Sequence, residues 1–244
     1  MLTRSWTTAG TCCRCNEKGI YWGEWLEIPY EAVLFDLDGT LLDTLRDLAE
    51  AMNAVLADHR FPEHPVAAYR LFVGDGMEEL VRRVLPRERR DPETVAACLS
   101  AMRREYGKRW MKNSRPFDGV PELLDALVER GMRLSVLSNK PDDFTKTMVA
   151  ALVPRWRFAP VLGVRPGGPR KPDPAGALAI ARALAVPPDH FLYLGDTGID
   201  MRTATAAGMY PVGALWGFRT AEELKSGGAK TLIGKPEELL AILA

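Results

Sequence analysis

Two carboxylates, Asp36 and Asp38, stand one residue apart at the end of the apolar run AVLF, in the stretch FDLDGT at 35–40. A third, Asp196, closes the apolar segment FLYLGD at 191–196, and Asp200 follows it by four positions. Ser138 and Asn139 come directly after LSVL at 134–137, and Lys171 lies beyond VLGV at 161–164. Acids gathered at one point raise one another's pKa and cannot all stay ionised without a cation. Oxygen donors with no Cys or His nearby select a hard ion, and a site that keeps waters and a phosphate oxygen suits Mg2+ better than Zn2+. Lys171 and the Ser138 hydroxyl, with Asn139 beside it, then read as holders of phosphoryl oxygens. The chemistry implied is phosphoryl transfer.

An open parallel sheet gathers such groups, because its ligands bind at the carboxyl ends of the strands. The chain supplies that sheet. Residues 32–36 form a short continuous apolar run, as a strand covered on both faces requires. From 118 onward, strand-like segments at 134–137, 161–164, 191–196, 210–215 and 231–233 alternate with helical patterns at about 121–130, 142–152, 174–184 and 199–207, and a last helix begins at Pro236. This predicts an α/β fold, a Rossmann-like doubly wound parallel sheet. Between the first strand and this alternation lie helical stripes through Leu45–Leu56, Met77–Leu85 and Val95–Tyr106, with no strand among them. The expected organisation is a catalytic core of 30–43 and 117–244, an inserted helical cap of 44–116, and an N-terminal extension of 1–29.

With 244 residues and 47% hydrophobic composition, the chain can bury a sizeable core. Lys plus Arg and Asp plus Glu balance at 32 each, so no global field favours nucleic acid or an anionic membrane. No apolar run reaches the ~18 residues of a membrane span, and no signal peptide opens the chain, which makes the cytoplasm the expected location. The expected partner is a small phosphorylated metabolite, and nothing in the sequence specifies an oligomeric state. Cys12, Cys13 and Cys15 lack the second ligand pair of a zinc site and read as a leader with exposed thiols.

FDLDGTLLDT at 35–44, LSNK at 137–140, KPDP at 171–174 and GDTGID at 195–200 resemble, in order and spacing, the motifs of the haloacid dehalogenase superfamily. A helical insertion after the first motif resembles the subfamily with a C1-type cap, and VGDGMEEL at 73–80 resembles the cap segment of phosphoglycolate phosphatase-like members. The resemblance implies that Asp36 is the nucleophile of an aspartyl-phosphate intermediate and Asp38 the general acid and then base. It implies Mg2+ held by Asp36, the backbone carbonyl of Asp38, and Asp196, with Asp200 acting through water or behind them. Ser138 and Lys171 would bind the phosphoryl group. Dehalogenating members lack an acid at the position of Asp38, so the implied activity is phosphate-ester hydrolysis, with 2-phosphoglycolate as the leading substrate. The alternatives are a beta-phosphoglucomutase-like phosphosugar mutase and a non-catalytic regulator that retains the fold.

Some residues outside these motifs invite simpler readings. His59, His64 and His190 sit in turn-like places and are expected at the surface. Asp75 is expected either to cap the helix after Gly76 or to belong to a loop whose free amides meet an anion. Arg82 and Arg83 are expected to be solvated.

Overall fold

In the computed structural model, which describes residues 30–243, the strand Ala32–Phe35 (β1) has every side chain buried. Val33 and Phe35 join one apolar cluster, while Ala32 and Leu34 join another on the opposite face. A strand packed on both sides needs no polar alternation, which is why its sequence is a continuous apolar run. Each of Val33, Leu34 and Phe35 contributes about 1.5–3 kcal/mol by leaving water. The extension 1–29, with its cysteines, lies outside the described residues.

After β1 the chain turns tightly into β2 (Leu42–Asp43) and runs through α1 (Leu45–Asp58), α2 (Tyr69–Phe72), α3 (Met77–Val84) and α4 (Pro92–Arg109). It returns through β3 (Arg115–Pro116), which pairs antiparallel with β2, so the two crossings of the helical block lie side by side as a short ribbon. Asp47, in the first turn of α1, ties this ribbon down. Its carboxylate is buried and accepts from the backbone N–H and side-chain amide of Asn113 and from the backbone and hydroxyl of Ser114, at 2.7 to 3.1 Å.

The remaining chain alternates α5 (Val120–Glu129), β4 (Arg133–Pro141), α6 (Asp142–Leu152), β5 (Phe158–Val164), α7 (Ala175–Leu184), β6 (Phe191–Gly195), α8 (Gly198–Ala207), β7 (Tyr210–Ala214), α9 (Ala221–Gly227) and β8 (Thr231–Ile233). The strands form one parallel sheet in the order β5-β4-β1-β6-β7-β8. The chain builds one side of β1 first and then crosses to build the other, so β1 lies at the reversal of strand order, where parallel sheets open a crevice at their carboxyl edge.

The structure departs from the sequence expectation in several places, among them an unforeseen helix α9. An extra short helix, α2, stands between the first and second helical stripes; a single turn is too short to display an amphipathic period. Strand β4 runs past LSVL through Ser138, Asn139 and Lys140 to Pro141. The segment begun by Pro236 is a 3-10 helix, Pro236–Ile242. Of the three histidines expected at the surface, His59 is exposed but His64 and His190 are half-buried: His64 lies beside Tyr69 and Phe72 with Nε2 2.9 Å from the carbonyl of Val84 and its backbone paired with the Asn53 side chain, and His190 lies 2.9 Å from Glu31. Among the described residues no helix is long and apolar enough to cross a membrane.

The helical block meets the sheet domain through α3 against β4 and through side chains of α4 against α6. Tyr106 of α4 is fully buried, lies edge-on to Phe144 with ring centroids 5.2 Å apart, and donates to the sulfur of Met148 at 3.5 Å. Nearby, Arg103 reaches across to Asp143 at 2.6 Å.

Candidate active site

Strand β1 ends at Phe35, so the pleat does not bring Asp36 and Asp38 together. Asp36 still donates its backbone N–H to Leu194 at 2.9 Å, which keeps it level with the end of β6. A tight turn follows, in which the carbonyl of Leu37 accepts from Leu41 at 3.1 Å and Leu42 at 2.9 Å. Gly39 has φ +90° there, and a Cβ on it would overlap the Asp196 carboxylate, so both backbone and space demand glycine. The turn delivers the Asp38 carboxylate to Lys140, whose Nζ donates to its two oxygens at 2.8 and 2.9 Å, and to Thr44, whose hydroxyl donates at 2.7 Å.

Carboxylate oxygens of Asp36, Asp196 and Asp200, all buried, lie within 4.8 Å of one another. Asp196 follows β6 and accepts from the Thr40 hydroxyl at 3.0 Å and from the backbone N–H of Phe218 at 2.8 Å. Asp200 sits in the first turn of α8, where it forms a capping box with Thr197, and its other oxygen accepts from Lys171 Nζ at 2.6 Å. It therefore both caps a helix and faces the site. Lys171 also lies 2.8 Å from Oδ1 of Asp36 and donates to the carbonyl of Leu137 at 3.1 Å.

The electrostatics follow from this crowding. Burial, and then the charge of Asp200, push the Asp36 carboxyl well above its ordinary pKa, against the pull of Lys171. Burial and Asp200 likewise push Asp196 up to about 7. Burial alone would lower the Lys171 ammonium, but Asp200 and Asp36 raise it well above the lysine range; Lys140 is raised against burial in the same way by Asp38. Oδ1 of Asp36 is buried with no aligned hydrogen-bond donor, the nearby Lys171 ammonium being off the line of approach. A divalent cation at this oxygen would give it a partner and relieve the mutual repulsion of the acids. Carboxylate-only donors fit a hard metal ion.

Ser138, nearly buried at the end of β4, opens on the same cavity as Asp36 and Asp38, and its oxygen accepts from the Lys140 N–H at 3.2 Å. Asn139 also lines the cavity, yet its side chain is engaged with backbone: its amide donates to Gly74 at 3.2 Å and Lys171 at 3.1 Å, and its oxygen accepts from the N–H of Lys171 at 2.8 Å. It fastens the Lys171 loop and the helical block to β4. The block's side of the cavity is apolar, formed by Leu48, Val73, Met77 and Leu80, with Gly74 and Gly76 between. Gly76 is itself the N-cap of α3; Asp75 does not cap this helix, because its carboxylate pairs with Arg83. Arg82 pairs with Glu78 at 3.0 Å, so neither arginine stands free.

Sequence reasoning missed Lys140. It stands inside the LSNK motif, but its partner is Asp38, 102 positions away, and only the pairing of β1 with β4 brings them together. Thr40 and Thr44 were legible as motif members, though not as the hydroxyls that hold Asp196 and Asp38.

Residues 33–214 match the family model described as haloacid dehalogenase-like hydrolase. A phosphoglycolate phosphatase of Thiobacillus denitrificans is 34% identical over 184 residues, covering 74% of this chain and 81% of its own. One of Xylella fastidiosa is 34% identical over 212 residues, covering 85% and 90%. A crystal structure of a Lactobacillus delbrueckii subsp. bulgaricus protein superposes with a TM-score of 0.82 at 28% identity, over 88% of this chain and 98% of that one. The matched span contains every carboxylate of the cluster and both lysines.

Proposed function

This chain belongs to the haloacid dehalogenase-like hydrolases, and from that membership we propose that it is a Mg2+-dependent phosphatase of a small phosphorylated metabolite, 2-phosphoglycolate first among the candidates. The observation that carries the reading is the buried group of Asp36, Asp196 and Asp200 with Lys171, whose member Asp36 lines the same cavity as Asp38. The choice of substrate rests on relatives that are phosphoglycolate phosphatases.

In this reading an oxygen of Asp36 attacks phosphorus and the ester bond to the leaving alkoxide breaks, while Asp38 gives the alkoxide a proton. Asp38 then takes a proton from water, whose oxygen attacks the aspartyl-phosphate; inorganic phosphate leaves and Asp36 is restored. Two in-line displacements replace one harder step. Lys171 and Ser138 grip the phosphoryl oxygens, and Lys171 also favours the anionic form of Asp36 against burial and the neighbouring acids. The Asn139 side chain fixes the Lys171 loop. Asp36, the Asp38 carbonyl and Asp196, backed by Asp200, would hold Mg2+, which supplies positive charge to the phosphoryl oxygens. The helical block acts as a cap that must open for substrate and close to exclude water.

The test is phosphate release from 2-phosphoglycolate, sugar phosphates, nucleotides and pyrophosphate by the wild type and by Asp36→Asn. The wild type should favour 2-phosphoglycolate, and the variant should be inert toward every ester. Undiminished turnover by Asp36→Asn would remove the nucleophile assignment.

A further inference from the structure

Lys140 is a buried cation that the reaction described above does not use. Its side chain is 3% exposed and comes from the end of β4. Its Nζ is shared between two groups. On one side it donates to both oxygens of Asp38, at 2.8 and 2.9 Å. On the other it lies 4.6 Å from the centroid of the Tyr106 ring, on α4 of the helical block. An ammonium taken this far out of water is stable only with such partners.

The arrangement restricts Asp38. Two hydrogen bonds to one ammonium and a third from Thr44 leave the carboxylate little rotational freedom. A group that transfers protons must lie within hydrogen-bond reach of the leaving oxygen, so its orientation sets its efficiency. The Tyr106 ring in turn confines the ammonium, and Tyr106 is in place only when α4 is seated on α6. We propose that Lys140 is a positioning residue for Asp38, and that through Tyr106 it makes proton transfer depend on the seating of the helical block. The proposal rests on the reading of Asp38 as the proton-transfer group.

That dependence has a signature which general damage to the fold lacks. An alkyl phosphate needs a proton on its leaving oxygen, whereas p-nitrophenolate leaves without one. First-turnover rates of ester cleavage, measured with Mg2+ on 2-phosphoglycolate and p-nitrophenyl phosphate, should therefore separate in the variants. Lys140→Met should slow the alkyl ester about 100-fold, the scale of general acid catalysis, and the nitrophenyl ester less than about threefold. Lys140→Arg, which keeps the charge and donors, should recover the alkyl ester to within about tenfold of wild type. Tyr106→Leu should show the same preference at a smaller size, about 3- to 30-fold, as expected for loss of a buried cation–π contact. Equal losses on both esters, or none on either, would overturn the assignment of Lys140 while leaving the phosphatase intact. A wild type that cleaves neither ester would overturn the phosphatase reading and this proposal with it.

Discussion

The ammonium of Lys171 stands 2.6 Å from Oδ1 of Asp200 and is the only cation in contact with the buried acids among the described residues. Removing it as Lys171→Met leaves three buried carboxylates without a counter-charge, a change that costs about 3–5 kcal/mol in comparable sites. The metal-free variant should melt well below the metal-free wild type. Mg2+ should raise the melting temperature of both and recover more in the variant, whose acids lack any other cation. Melts in EDTA and in Mg2+ check this; a melting temperature that Mg2+ leaves unmoved in both proteins would speak against a metal at the triad.

Asp47 makes a second prediction, about the ribbon that joins the two parts. Burial by itself would raise its pKa, but the donors of Asn113 and Ser114 outweigh burial and hold it below the usual aspartate value. A carboxylate depressed in the folded state contributes stability above its unfolded pKa, and that stability is lost as pH falls through the folded value. Asp47→Asn sets an amide N–H against the same donors and should cost about 2 kcal/mol at neutral pH. The difference from wild type should shrink below about pH 4, where Asp47 of the unfolded chain becomes protonated. Urea denaturation of both proteins at pH 7 and across the acid range measures it.

These residues also show what a sequence discloses. The sheet, its insertion and the acids at strand ends were legible because apolar runs and helical periods repeat over many residues, and because strand ends in a parallel sheet share one edge. Pairings across the fold were not. Nothing near Lys140 names Asp38, and nothing near Asp75 reveals that Arg83 takes its carboxylate away from the helix it precedes. The reason Asp36 and Asp38 line one cavity was also hidden: an extended chain would place alternate side chains on one face, yet the strand has ended and the turn at Leu37 carries Asp38 there. Asn139 shows the converse, since its place beside Ser138 suggested a phosphate ligand while its side chain is spent on backbone.

Gly217 makes the third prediction. Its backbone is not in the left-handed region, but a Cβ there would overlap the Asp196 side chain, whose oxygen accepts from the next residue, Phe218. Gly217→Ala must therefore shift either the loop or the carboxylate, with no added backbone strain. Disturbing a residue that supports a metal ligand typically weakens metal binding about 10- to 100-fold. The Mg2+ concentration for half-maximal phosphatase activity should rise by that factor, with the saturated rate much less changed. An unchanged Mg2+ requirement would show that Asp196 does not depend on this loop.

The same loop reaches the helical block through Arg219. This guanidinium donates to the carbonyl of Val73 at 2.7 Å and to that of Arg70, while Arg70 returns a bond to Gly217 and Glu223 steadies Arg219 at 3.3 Å. The carbonyls of Arg70 and Val73 belong to α2 and to the residue that follows it, shortly before the glycines that line the cavity. Arg219→Met keeps much of the apolar stem but removes both donors, at about 1.5–3 kcal/mol for a hydrogen bond to a charged group. Amide hydrogen exchange across 69–76 should then quicken by about tenfold or more, while exchange in β1 and β6, buried in the sheet, should stay unchanged. Uniform acceleration through the whole chain would mean that Arg219 supports general stability; faster exchange confined to 69–76 would identify it as the clasp between the sheet domain and the helical block.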